Sequence, residues 1–130
     1  MQRKIAAFSS AVEFATGLVL VLDPAMVVQW LLGQQITDVA TVLGRCLGVA
    51  LLALGVACWP QGLHITSGVQ PLRGLLLYNA LTALYLGYLA AIARMGGALI
   101  WPAVLLHAAV ALSLIWTGRA TRHKSVASTH

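Results

Sequence analysis

Four long apolar stretches make up most of this chain, and each carries a polar or ionisable side chain near its middle. These are Glu13 in the first, Arg45 in the second, Asn79 and Tyr85 in the third, and His107 in the fourth. The stretches approach the roughly 20 residues that a helix needs to cross a bilayer. Inside hydrocarbon, backbone N–H and C=O groups must be satisfied within the segment, which favours helices. Exposing a charged side chain at mid-span costs about 2.5–3.5 kcal/mol on insertion scales, so the polar groups are expected to face one another. The expected fold class is all-α, an integral membrane four-helix bundle whose centre is either a site or a polar lock.

Composition leaves little room for another class. The chain is 60% hydrophobic and 8% charged, where soluble domains carry about 25% charged residues. A single membrane domain over residues 1–117 is expected, with spans at about 5–22, 39–58, 73–93 and 98–117 and a polar, basic, mobile tail at 118–130. The basic start before an apolar run resembles a secretory signal, but Glu13 interrupts the apolar core, and an uncleaved helix is the better reading. The net charge of +5 does not point to nucleic acid, because the basic residues flank apolar runs and form no groove-reading face.

Local signals place the connections. Asp23-Pro24 ends the first span, since proline cannot continue a helix and restricts the residue before it. Residues 24–33 (PAMVVQWLLG) are apolar but too short to cross, and predict a short interfacial helix with Trp30 at headgroup level. Thr37 and Asp38 are N-cap types. Trp59-Pro60 closes the second span, and residues 61–70 (QGLHITSGVQ) read as a loop. Pro71 suits a helix start. Arg94-Met95-Gly96-Gly97 reads as a tight turn, with Trp101 and Pro102 opening the fourth span.

Charge predicts orientation. With the N-terminus inside, the inner segments hold Arg3, Lys4, Arg73, Arg119, Arg122 and Lys124, and the outer segments hold Arg94 alone. That bias predicts cytoplasmic termini in a multi-pass protein of the bacterial inner membrane.

At about 1.5 Å per residue from the outer span ends, Glu13, Arg45, Tyr85 and His107 fall roughly 12–15 Å deep and Asn79 about 20 Å deep, a separate position. Ser9, Ser10, Thr16 and Gly17 surround Glu13 at helical spacing, and Ala103 and Ala111 flank His107. Small residues of this kind mark helix–helix faces. Gly44 and Gly48 bracket Arg45 in a GxxxG pair, and Tyr78, Thr82 and Tyr85 share one side of their span. Glu13 and Arg45 are the natural ion pair. As an alternative, Arg45 snorkels outward towards Asp38. His107 is either a satisfied core histidine or a hydrogen-bonding partner, together with Tyr85 or Tyr78, for the carbonyl or hydroxyl of a quinone or lipid.

Other chemistries find little support. Cys46 and Cys58 lie about 18 Å apart along one helix, too far for a disulfide, and read as small buried residues. No CxxC or Cys/His metal spacing occurs. A bis-histidine haem is not expected, because His64 falls in a loop rather than at the depth of His107. No nucleophile–base pair is evident, although a Glu13–His107 acid/base couple stays open.

The segments LGRCLGVALLALGVACWP, YNALTALY and LIWPAVLLHAAVAL resemble the small four-helix membrane proteins of bacteria that are loosely related to the DoxX-like group. The resemblance implies a redox partner, as in accessory parts of membrane oxidoreductase systems, and carries no catalytic residue. Glu13 in the first span also resembles the membrane-embedded glutamate of small multidrug resistance transporters. The sequence around it and the aromatic pattern of the later spans differ from that family, and the strong charge bias departs from dual topology.

The leading expectation is a non-enzymatic binding or accessory membrane protein, in a homo-oligomer or a larger complex. Its polar centre of Glu13, Arg45, Asn79, Tyr85 and His107 would hold a lipid, a quinone-like molecule or a partner helix. The alternative is a proton-coupled small transporter using Glu13.

Overall fold

A computed structural model of the chain describes the backbone over residues 1–60 and 69–127 and the side chains over 1–60 and 72–118. Five helices follow in order: α1 Gln2–Leu22, α2 Pro24–Leu32, α3 Asp38–Ala57, α4 Val69–Ala91 and α5 Ile100–Ala127. Four of them are long and apolar enough to cross a membrane, at Gln2–Leu22, Asp38–Ala57, Leu72–Ala91 and Ile100–Gly118. The protein is thus an all-helical bundle with the makeup of a multi-pass membrane protein. Its surface is apolar, with Phe8, Val42, Leu47, Leu84 and Leu112 all more than half exposed, while Ser9, Ser10, Glu13 and Asn79 are buried. Apolar outside and polar inside is the pattern expected where lipid is the solvent and interhelical hydrogen bonds lie within the bundle.

The bundle consists of two antiparallel pairs. α1 packs along α3, α4 packs along α5, and the pairs meet where α1 touches α5 and α4. The α1–α3 seam is built on backbone contact. A Cβ at Gly17 would sit 2.7 Å from Gly48 O, and a Cβ at Gly48 would sit 2.8 Å from Gly17 O. Gly55 meets Ser10 O on the same seam. Small residues let helix backbones approach this closely, and dispersion then acts along the whole contact.

Asp23 makes the corner between α1 and α2. Its N–H donates to Val19 O to close α1, and its carboxylate accepts from Met26 N at 3.0 Å to open α2. Pro24 occupies the first turn of α2, where the missing N–H costs nothing. Gly33 ends α2 in the left-handed conformation (φ 68°), which glycine adopts without a Cβ penalty. Thr37 then caps α3 by accepting from Ala40 N. At the end of α4 the chain turns at Arg94, whose φ of 51° is also left-handed. Residues 97–99 return alongside α2, with Gly97 N donating to Leu31 O and Leu99 N to Trp30 O.

Several boundaries differ from the sequence reading. α4 starts at Val69, so residues 69–70 belong to a helix; residues 61–68, with the loop reading and His64, lie outside the described residues. α5 continues through Ala127, where a mobile tail was expected. Past Gly118 the sequence has no proline or further glycine to stop a helix that packing has already nucleated. Cys58 is buried as expected, but Cys46 is exposed, since the α1-facing stripe of α3 is taken by Gly44, Gly48, Leu51 and Gly55.

Candidate functional site

One helical turn apart, an apolar layer and a polar layer cross the bundle. The apolar layer lies towards the end that carries the N-terminus and joins Ala6 of α1, Cys58 beyond α3, Leu75 of α4, and Val110 and Leu114 of α5. Advancing one turn towards the α2 end leads to Ser9, Ser10 and Glu13 on α1, Asn79 on α4 and His107 on α5. Helical spacing explains the coincidence: Asn79 follows Leu75 by four residues and His107 precedes Val110 by three, so each stays on the inward face of its helix.

Asn79 is the hub. It is 1% exposed. Its Nδ2 donates to Leu75 O at 2.9 Å and to Ser9 Oγ at 3.2 Å, and its Oδ1 lies 2.8 Å from His107 Nδ1. The carbonyl of Leu75 accepts only, so the amide nitrogen must face it and the amide oxygen must face the histidine. His107 Nδ1 therefore carries a hydrogen and donates to Asn79. Any further proton gained or lost by the ring is handled at Nε2.

Glu13 sits beside this hub at 1% exposure. Its Oε1 is 4.0 Å from His107 Nδ1, beyond hydrogen-bond range. The Tyr78 hydroxyl hydrogen-bonds to the Glu13 carboxyl group, and the Tyr78 ring meets the His107 ring edge-on with centroids 5.8 Å apart. Two oxygens in the layer, Glu13 Oε1 and Ser10 Oγ, are buried without a hydrogen-bond partner among the described residues. An unpartnered buried polar atom costs about 1–3 kcal/mol.

Of the five candidate residues, the structure brings together Glu13, Asn79 and His107. Arg45 is exposed and makes no pair with Glu13. The register of the α1–α3 seam places it level with Leu20, seven residues and about 10 Å along the helix from Glu13, and off the glycine face of α3 that meets α1. Tyr85 is 64% exposed. It follows Asn79 by six residues, which turns it about 120° off the inward face. Tyr78, adjacent to Asn79, is the tyrosine that meets Glu13 and His107.

Asn79 is central rather than separate. It lies twelve residues from the end of α4, and His107 only seven from the start of α5, a difference of about 7 Å in helical rise. Residues 92–99, the last three of which run alongside α2, absorb that offset, so distance from a span end is not depth. Ser9 and Ser10 entered the sequence reading as small neighbours of Glu13. Their i−4 and i−3 spacing was the signal that they belong to the layer. No family model, curated protein sequence or solved structure shows a significant match to this chain.

Proposed function

We propose that the protein is a small integral membrane binding or accessory protein whose polar layer receives one polar group of a hydrophobic ligand, a lipid or a quinone-like molecule. The observation that carries this reading is the pair of unpartnered oxygens, Glu13 Oε1 and Ser10 Oγ, inside a network that is otherwise hydrogen-bonded. A purely structural lock gains most when every buried polar atom is satisfied. Two open acceptors one turn apart on α1 suit a hydroxyl or another donor group. A partner helix is the less suitable occupant, because α1, α4 and α5 of the same chain already enclose the layer. The charge bias supports an orientation with both termini in the cytoplasm of a bacterial inner-membrane protein.

Ser10→Ala separates the two roles, since its hydroxyl has no hydrogen-bond partner among the described residues. Native mass spectrometry of detergent-extracted protein should show a co-purifying lipid or quinone. Its retention should fall about five- to tenfold in Ser10→Ala, the equivalent of one hydrogen bond, and further in Glu13→Gln, with insertion and assembly unchanged. If the parent protein carries no such molecule and Glu13→Gln instead loses stability or assembly, the layer is a lock.

One observation favours a second reading. Glu13 and His107 are two titratable groups 4.0 Å apart, and with Nδ1 committed to Asn79 the ring would take up a proton at Nε2, as a proton-coupled transporter requires. Under that reading, Glu13→Gln abolishes pH-driven flux in proteoliposomes, and absence of flux in the parent rejects it.

A further inference from the structure

A second feature of the bundle lies outside the polar layer. Between α1 and α5, near the end that carries the N-terminus, an open groove encloses about 290 Å³. None of the polar-layer residues lines it. Lys4 and Ser113 stand at one end and Phe8 and Leu106 further along, with Ile5 and Ala109 in the walls. Phe8 is 53% exposed, so the groove faces the surrounding solvent, which for this part of the helix is lipid.

We propose that this groove binds one anionic glycerophospholipid of the leaflet on the terminal side. Three observations select that occupant. The polarity runs in the order of a phospholipid, with a cation and a hydroxyl at the terminal end and aliphatic and aromatic walls deeper. Length agrees as well: the seven residues from Leu106 to Ser113 span about 10 Å along α5, within the roughly 15 Å of one leaflet's hydrocarbon. The third observation is charge. Arg3 adjoins Lys4, and Gln2 of α1 approaches Gly118 of α5. Beyond Gly118 the helix continues to Ala127 through sequence that carries Arg119, Arg122 and Lys124. A cluster of basic residues next to a span attracts anionic headgroups, and Lys4 supplies a point charge for the phosphate.

The test uses the full chain reconstituted in nanodiscs of phosphatidylglycerol and phosphatidylcholine in equal amounts, followed by delipidation and native mass spectrometry. The parent should retain one phosphatidylglycerol in preference to phosphatidylcholine. Ala109→Phe, which fills the groove, should lower retention of both lipids at least tenfold. Lys4→Ala should abolish the headgroup preference while an acyl-chain adduct persists. Arg94→Ala, at the opposite end of the bundle, should match the parent. Equal retention of the two lipids by the parent, or an unaltered preference in Lys4→Ala, overturns the proposal. So does a stoichiometric second polypeptide in place of the lipid. Lys4→Ala alters an exposed residue and decides the matter even if Ala109→Phe does not assemble.

Discussion

His107 donates a hydrogen bond from Nδ1 to Asn79 Oδ1 across 2.8 Å, and that contact ties α5 to α4 at the level where Asn79 also reaches α1 through Ser9. The same amide therefore joins three helices. Its orientation is dictated by the Leu75 carbonyl, and this in turn sets the tautomer of the histidine. The polar layer ties the two helix pairs together.

Asn79→Ala removes three hydrogen bonds at once and leaves the buried Ser9 and the partly buried His107 without their partner. Destabilisation of about 1–3 kcal/mol is expected, measured as a shift in the unfolding equilibrium in detergent or bicelles. Combined with His107→Ala, the two losses should fall short of additive by at least about 0.5 kcal/mol, as expected for residues in one network. Strict additivity in the double-mutant cycle would show that the pair does not interact.

The α1–α3 seam should be sensitive to a single carbon. Gly17→Ala and Gly48→Ala each place a Cβ against the opposing backbone, and the helices can relieve it only by moving apart. A loss of about 1–3 kcal/mol is expected for each. Gly74→Ala serves as the control, because a Cβ there meets nothing within 4 Å and should be neutral or slightly stabilising. Equal effects at Gly17 and Gly74 would contradict the packing.

Arg45→Leu and Tyr85→Phe should leave folding stability within about 0.5 kcal/mol of the parent, as for surface substitutions away from special features. Neither should change retention of a ligand in the polar layer. A marked loss with Arg45→Leu would restore Arg45 to the centre and refute the seam register.

Orientation can be checked by labelling. In a variant whose native cysteines are replaced, a cysteine at Gln35 should react with an impermeant maleimide in intact cells. A cysteine at Ser125 should react only after permeabilisation. The reverse pattern would rule out the proposed topology.

Much of the architecture was legible because membrane spans are written locally. Length, apolarity, Asp23-Pro24, the Thr37 cap and the glycines at 96–97 each act within a few residues, and the structure has helices and turns where these signals fall. Part of the site was legible for the same reason. The small residues around Glu13 and His107 mark inward faces whatever the partner helix is. Arg45 and Tyr85 were misplaced by a different kind of error. Tyr85 fails by rotation, about 120° off the inward face of α4, and Arg45 by level as well, because distance from a span end measures depth only where helix ends are level. Here α3 extends past the end of α1, and residues 92–99 displace the start of α5 relative to the end of α4.

The sequence by itself determined that this chain is an all-helical membrane bundle, with the breaks at Asp23-Pro24 and residues 94–97 and the faces on which Glu13 and His107 lie. Those properties follow from hydrophobic patterning and helical periodicity, which need no knowledge of neighbours. Only the tertiary structure decided which polar groups meet. Partnership depends on the axial register between helices, set by glycine seams and by a returning loop whose contacts join residues far apart in the chain. That register makes Asn79 the hub and leaves Arg45 exposed and out of reach of Glu13.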